Sequence, residues 1–198
     1  MALLGHSGGA AVAARYAIEH PGRVSRMILV APPPPVRDAY AAQVAARFAS
    51  RLDTATWSRL RVLQSALPAA SDPERVCREI IRAVLPRAYF ADSTAYLRMR
   101  GDFCAQPPDR LRTQPARLAA FLHTLPPDWR ADLRRLDVPV LLIHGDHDAI
   151  PVAAAREWAA SLPGARLVVL PAADHLPWIE QPARFFAAVN DFLGERSR

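Results

Sequence analysis

The sequence has no lysine: all 25 of its basic side chains are arginine. No basic run exceeds the pair Arg134-Arg135, and 19 acidic residues are scattered among the arginines. A nucleic-acid binder concentrates its cations on one face or in a known module. The net charge of +6 is therefore assigned to solvated helix faces, and no nucleic-acid partner is expected. The arginine, alanine and proline bias has GC-rich coding as its plain cause. Long apolar runs are also missing. None approaches the roughly 18 residues that a membrane-spanning helix needs, so no membrane partner is expected. The opening residues 1–7 lack a basic segment and a long apolar stretch, and no secretory signal is expected. Only two cysteines occur, Cys77 and Cys104, too few for a disulfide framework. They are expected to be free thiols in a reducing, cytoplasmic setting. What remains, 198 residues with 51% hydrophobic and 22% charged side chains, is the composition of about one folded domain.

The two ends of the chain differ from its middle. Ala2-Leu3-Leu4 is a short strand, residues 10–20 form an alanine-rich helix, and Pro21-Gly22 stops it. Residues 26–31 form a second apolar strand, ended by the prolines at 32–35. Strand, helix and strand in that order make a βαβ unit, so the two strands should be parallel. The same rhythm returns with strands at 138–143 and 166–170 and helices at 152–162 and 183–193. The expected class is α/β with about four parallel strands. Residues 1–35 and 131–198 would form the core, and residues 36–130 a helical cap or lid. Helices are expected there at 38–52, from Asp72 onward and at 111–125. Prolines at 68, 86, 107, 108, 115, 126 and 127 are expected to keep them short.

Gly5-His6-Ser7-Gly8-Gly9 places a serine between a strand and a helix, with small residues where a tight turn needs them. Such a turn lifts the hydroxyl clear of the sheet at a helix N-terminus. A serine hydroxyl attacks poorly unless a base takes its proton, so a histidine and an orienting acid must follow. His144-Gly145-Asp146-His147-Asp148 and Asp174-His175 each lie just past a strand, at the edge where parallel sheets build their sites.

These segments, with Leu176-Pro177-Trp178 and Glu180-Gln181-Pro182, resemble the α/β-hydrolase-fold serine hydrolases. Within that superfamily the chain is most similar to proline-iminopeptidase-like and related small-molecule hydrolases. The resemblance implies Ser7 as nucleophile, Asp148 as acid, His175 as base and the Gly8 N–H as an oxyanion donor. It implies hydrolysis of an ester or amide of a small molecule through an acyl-enzyme, with no cofactor. Asp146 competes with Asp148, and the family's G-x-x-D spacing from Gly145 favours Asp148. Asp174 stands where the family often has glycine. His6 would shape the pocket, and His20 and His123 would be structural. A metal held by His144, His147, Asp146 and Asp148 fits the spacing less well than an acid loop does. Trp57 and Trp129 are expected to serve packing. Cys104 lacks the neighbours a nucleophile needs.

In the resembled family four strands precede the nucleophile, and a loop among them gives a second oxyanion N–H. Here the nucleophile is residue 7. The chain is therefore expected to be N-terminally truncated at this turn: a fragment of a longer gene, half of a split enzyme, or a truncated remnant acting as an interaction module. The strand at Ala2-Leu3-Leu4 would then be an open edge, prone to self-association or to pairing with a missing N-terminal half. An aminopeptidase needs acids to hold a free amine. In the middle segment Asp72 and Glu74 read as helix-start residues, and Glu79 is spaced to pair with Arg75 or Arg82. A general ester or amide substrate is preferred on that ground.

Overall fold

The computed structural model describes residues 1–194. Four strands, β1 (Ala2–His6), β2 (Arg26–Val30), β3 (Val140–Gly145) and β4 (Ala165–Leu170), form one sheet in the order β1-β2-β3-β4. Every neighbouring pair is parallel. Leu4 lies beside Ile28, Ile28 beside Leu141 and Leu141 beside Arg166, so the carboxyl ends of all strands share one edge. This is the expected α/β class with its four parallel strands.

Helices cover both faces because alternate residues of the inner strands point opposite ways. Met27, Leu29, Val140 and Leu142 face α1 (Gly8–Glu19), Trp129 and Trp158. Ile28, Val30, Leu141 and Ile143 face Phe185, Val189 and Phe192 of the last helix. β3 is buried at every position, which explains its unbroken apolar run. α1 lies close to the sheet through Ala10, Ala11, Ala14 and Ala17, whose small side chains permit the approach. Gly5 is part of the same fit: a Cβ there would collide with the Gly9 carbonyl oxygen and Ala10 Cα. The last helix packs on β3 and β4, which leaves Leu4 on β1 59% exposed. Among the described residues β1 pairs only with β2 and is an edge strand. No helix among the described residues is long and apolar enough to cross a membrane.

Between β2 and β3 the chain is helical, with α2 (Ala41–Arg51), α3 (Thr54–Ala66), α4 (Pro73–Ala88), α5 (Pro108–Thr124) and the short α6 (Arg130–Leu133). Asp53 and Asp72 cap α3 and α4, accepting from the Thr56 and Arg75 N–H groups at 2.7 and 2.9 Å. Two expectations for this segment are corrected. α4 and α5 are not short: they run 16 and 17 residues, with Pro86 and Pro115 inside them. A proline removes one hydrogen bond and kinks a helix, but packing on both sides carries it through. Leu111 before Pro115 is buried, and Phe121 after it packs against the core. The cysteines are not free. Cys77 of α4 and Cys104 are disulfide-bonded, with Cα atoms 5.7 Å apart, inside the reach of such a bond. The free-thiol argument for a reducing compartment falls with it. After β3 come α7 (Val152–Ser161), β4, the short α8 (Pro177–Glu180) and α9 (Pro182–Gly194).

Candidate active site

Ser7 sits at the turn from β1 into α1 with φ 54° and ψ −126°. A side chain in that left-handed region costs on the order of 1–3 kcal/mol unless its surroundings fix it. They do: the Ser7 N–H donates to the Val30 carbonyl at 2.9 Å, and the Ser7 carbonyl accepts from the Ala10 N–H at 2.9 Å. The side chain is thereby turned away from the ladder. Gly8 opens α1, so its N–H belongs to the first helical turn, where backbone donors have no helical partner. Leu118 of α5 lies over it, within 3.0 Å of where a Gly8 Cβ would stand.

Asp148 and His175 come from the loops after β3 and β4. The His175 Nδ1 donates to Asp148 Oδ2 at 2.8 Å, and the Ile150 N–H donates to Asp148 Oδ1 at 2.9 Å. Asp148 is 1% exposed. Burial pushes its carboxyl up, but the His175 partner outweighs this and holds it below the usual carboxylate range, with His144 and the Ile150 N–H helping. Gly145 makes the meeting of the two loops feasible: a Cβ there would strike the carbonyl oxygens of Ala173 and Asp174. Asp146 is engaged elsewhere, with His147 Nδ1 at 2.6 Å and the Ala173 N–H at 3.4 Å.

Ser7 and His175 line one cavity of about 650 Å³ beneath α3, α4 and α5. Its other walls are largely apolar, including Leu67, Ile80, Leu85, Phe103 and Leu111, with Gln64, Gln106 and Gln114 adding amide groups. Among the described residues no Asp, Glu or Arg lines it. The acids of the middle segment are used otherwise. Glu79 pairs with Arg75 and Arg59, Glu74 with Arg78, Asp102 with Arg78 and Asp128 with Arg130.

Two aromatic rings, His6 and Tyr89, pack against His175, and Trp178 backs His6. His6 Nε2 donates to the His175 carbonyl at 2.9 Å, and their rings stand 4.7 Å apart. Burial, reinforced by His175, pulls His6 down to about 4, so it is a neutral donor at ordinary pH. Trp178 packs edge-on to His6 at 4.8 Å. The Tyr89 ring is 5.1 Å from His175, and burial beside Asp148 and Asp174 raises its phenol, which stays protonated. His144 is buried with Nε2 on the Ile150 carbonyl at 2.8 Å. Among the described residues no group of three or more His, Cys, Asp or Glu is placed to hold a metal ion. Cys104 is in the disulfide, and Trp129 packs against Trp158 in the core.

Tyr89 and the arginines of α2 were not singled out in the sequence. Tyr89 carries no local pattern, since its role depends on loops meeting from distant parts of the chain. The arginines looked like any solvated helix face.

Residues 1–182 match a sequence family described as serine aminopeptidase, S33. The pimeloyl-[acyl-carrier protein] methyl ester esterase of Nitrosomonas europaea is 33% identical over 198 aligned residues, covering 94% of this chain and 68% of that protein. A thermophilic esterase from Thermogutta terrifontis, solved with malate bound, superposes with a TM-score of 0.66 at 25% identity, over 98% of this chain and 64% of that one. An α/β-fold hydrolase from Bacillus anthracis gives a TM-score of 0.68 at 20% identity, over 96% of this chain and 66% of that one. The chain thus spans about two thirds of the length of these proteins.

Proposed function

Because this chain belongs to the serine aminopeptidase S33 family of α/β-fold hydrolases, we propose that it cleaves the ester of a small molecule bearing an apolar, uncharged group, through an acyl-enzyme on Ser7. The observation that carries this is the buried Asp148–His175 hydrogen bond, whose histidine lines the same cavity as Ser7. Asp148 fixes the imidazole with Nδ1 protonated, which leaves Nε2 free to accept a proton. The Ser7 Oγ attacks the carbonyl carbon while its proton passes to His175 Nε2. The Gly8 N–H faces the oxygen that gains charge. The C–O bond to the alcohol then breaks, and the leaving alkoxide takes the proton from His175. Water repeats the sequence, giving the free acid and restoring Ser7. No cofactor enters any step.

The lining supports an ester over a free-amine peptide. An aminopeptidase site needs an anion for the substrate's ammonium, and this cavity's walls have none. Its apolar walls suit a hydrocarbon group, which gains about 25 cal/mol for each Å² removed from water.

The test has two parts. A fluorophosphonate probe is expected to label the protein and to spare Ser7→Ala; equal labelling of both would remove Ser7 from the mechanism. p-Nitrophenyl esters of increasing chain length are then compared with proline p-nitroanilide. Faster turnover of butyrate or hexanoate esters is expected, and a clear preference for the anilide would overturn the ester assignment. A second proposal, an interaction module without turnover, is favoured by the exposed Leu4 on the β1 edge. It predicts no labelling and association that depends on protein concentration.

A further inference from the structure

We infer that Arg51 of α2 and Asp174 form a clamp that positions the backbone carrying His175, so that the inserted helices and the Asp148–His175 pair are held as one unit. The inference rests on the catalytic role proposed above for that pair.

Asp174 Oδ1 accepts the His175 N–H at 2.8 Å. Its other oxygen lies 2.8 Å from Arg51 Nη1. That contact is ionic rather than a directed hydrogen bond: Arg51 Nη1 donates to the Ala88 carbonyl at 2.7 Å, and Asp174 Oδ2 receives no hydrogen bond. Arg51 Nη2 donates to the His147 carbonyl. One helical turn earlier, Arg47 Nη1 donates to the Asp148 carbonyl at 2.5 Å. Two arginines four residues apart share a helix face, and here they grip both loops of the catalytic pair. Between them Phe48 touches Tyr89 at 5.5 Å, and Tyr89 touches His175 at 5.1 Å. No residue of α2 is fully buried, so these contacts, rather than a hydrophobic face, seat the helix. Glu180 reinforces the turn from below, accepting the Asp174 N–H at 2.6 Å and the Ala91 and Asp92 N–H groups at 2.8 and 3.1 Å.

A purely structural account of Asp174 is weaker. A neutral amide would accept the same His175 N–H without bringing a charge into the interior. Burial outweighs the pull of Arg51 and, with Asp148 close by, pushes the Asp174 carboxyl up to about 7. Ionising Asp174 is therefore costly, and the anion formed as pH passes about 7 has Arg51 as its partner. The charged and titratable groups around this point are Arg47 and Arg51 from α2, Asp148 and His147 from the loop after β3, His6 from β1, His144 from β3, Tyr89 after α4, and His175 and Glu180 on the segment of Asp174 itself.

The experiment uses the full chain with Asp174→Asn, Arg51→Met and Arg51→Lys. Ester turnover is measured alongside hydrogen exchange of the His175 amide. Asn keeps the acceptor for that amide and removes only the ion pair. Asp174→Asn and Arg51→Met are each expected to lower kcat about tenfold with KM nearly unchanged, the signature of a misplaced catalytic group. Arg51→Lys should recover part of the loss. Exchange at His175 should quicken in Arg51→Met, although Arg51 does not touch that amide. Unchanged exchange there would overturn the clamp whatever happens to turnover, and so would a loss confined to KM. If Arg51→Met does not fold, Asp174→Asn and Arg51→Lys carry the same comparison. If the parent protein shows no turnover dependent on Ser7, the ester proposal fails, while the exchange measurement still decides the clamp.

Discussion

His6 and His175 face each other with ring centroids 4.7 Å apart, and His6 gives its Nε2 proton to the backbone carbonyl of its partner. The residue beside the proposed nucleophile is thus tied to the residue proposed as base. A positive charge on His6 would repel the imidazolium that the proposed mechanism forms on His175, and burial prevents that charge.

This has a consequence for stability. The ordinary imidazole pKa of 6.5 falls to about 4 for His6 in the folded protein. Above 6.5 it is neutral in both states. As pH falls from 6.5 toward 4 the unfolded chain takes the proton first, and stability declines across that window. His6→Asn removes this contribution. The melting temperature of the variant relative to the parent is expected to rise steadily as pH is lowered from 7 to 4, measured by circular dichroism.

Asp174 should behave with the opposite sign. Its carboxyl goes from 3.8 to about 7 on folding. Between these values the native state holds a proton that the unfolded chain has lost, so stability falls as pH rises through the window and levels off above it. The melting temperature of Asp174→Asn relative to the parent should therefore increase from pH 4 to pH 7.5. A constant difference across that range would show that the carboxyl is not displaced.

Asp148→Asn should lower kcat by about 10⁴-fold, since an amide in that place no longer holds the imidazole in its working tautomer. The fold should remain, because Oδ1 can still accept the Ile150 N–H. Esterase assays with a circular dichroism control measure both. Asp146→Asn should change kcat little, as Asp146 faces His147 rather than His175.

Gly145→Ala tests the crossing of the two loops. The added methyl would strike the carbonyl oxygens of Ala173 and Asp174, backbone atoms that cannot swing aside. A destabilisation of about 3 kcal/mol is expected, at the upper end for overpacking. Urea unfolding should show it, with activity lost as His175 is displaced.

The Cys77–Cys104 bond closes a loop of 27 residues. Removing such a loop constraint costs about 3–4 kcal/mol in the chain-entropy account. The Cys77→Ala/Cys104→Ala variant should lose about that much unfolding free energy, measured by urea denaturation. Because Cys77 and Phe103 both line the cavity, its KM for long-chain esters should rise more than for acetate.

Strands and their pairing were legible because apolar runs such as Val140 to Ile143 need burial on both faces, and chain order then leaves few parallel arrangements. The turn at Ser7 was legible because its glycines have a steric reason, which the Gly5 contact makes concrete. α3 was missed although Asp53 supplies a cap, since its apolar residues follow no clean helical stripe and only Leu60 is fully buried. The disulfide was missed because two cysteines give no spacing signal, and their meeting depends on how α4 packs. Arg51 was missed for a similar reason: an arginine on an exposed helix and an arginine gripping a buried carboxylate read alike until the partner loop is in place.

The placement of the three proposed reacting groups also bears on how the protein folds. Ser7 depends on the β1–β2 pairing, Asp148 on β3 and His175 on β4, so nothing short of the assembled sheet brings them together. Contacts between such distant parts of the chain form late, since loop closure must come first. A partly folded chain therefore carries an ordinary serine and an ordinary histidine. On the proposed mechanism, reactivity toward a fluorophosphonate is a gauge of cooperative folding, switching on with the last strand and fading with the first to unzip.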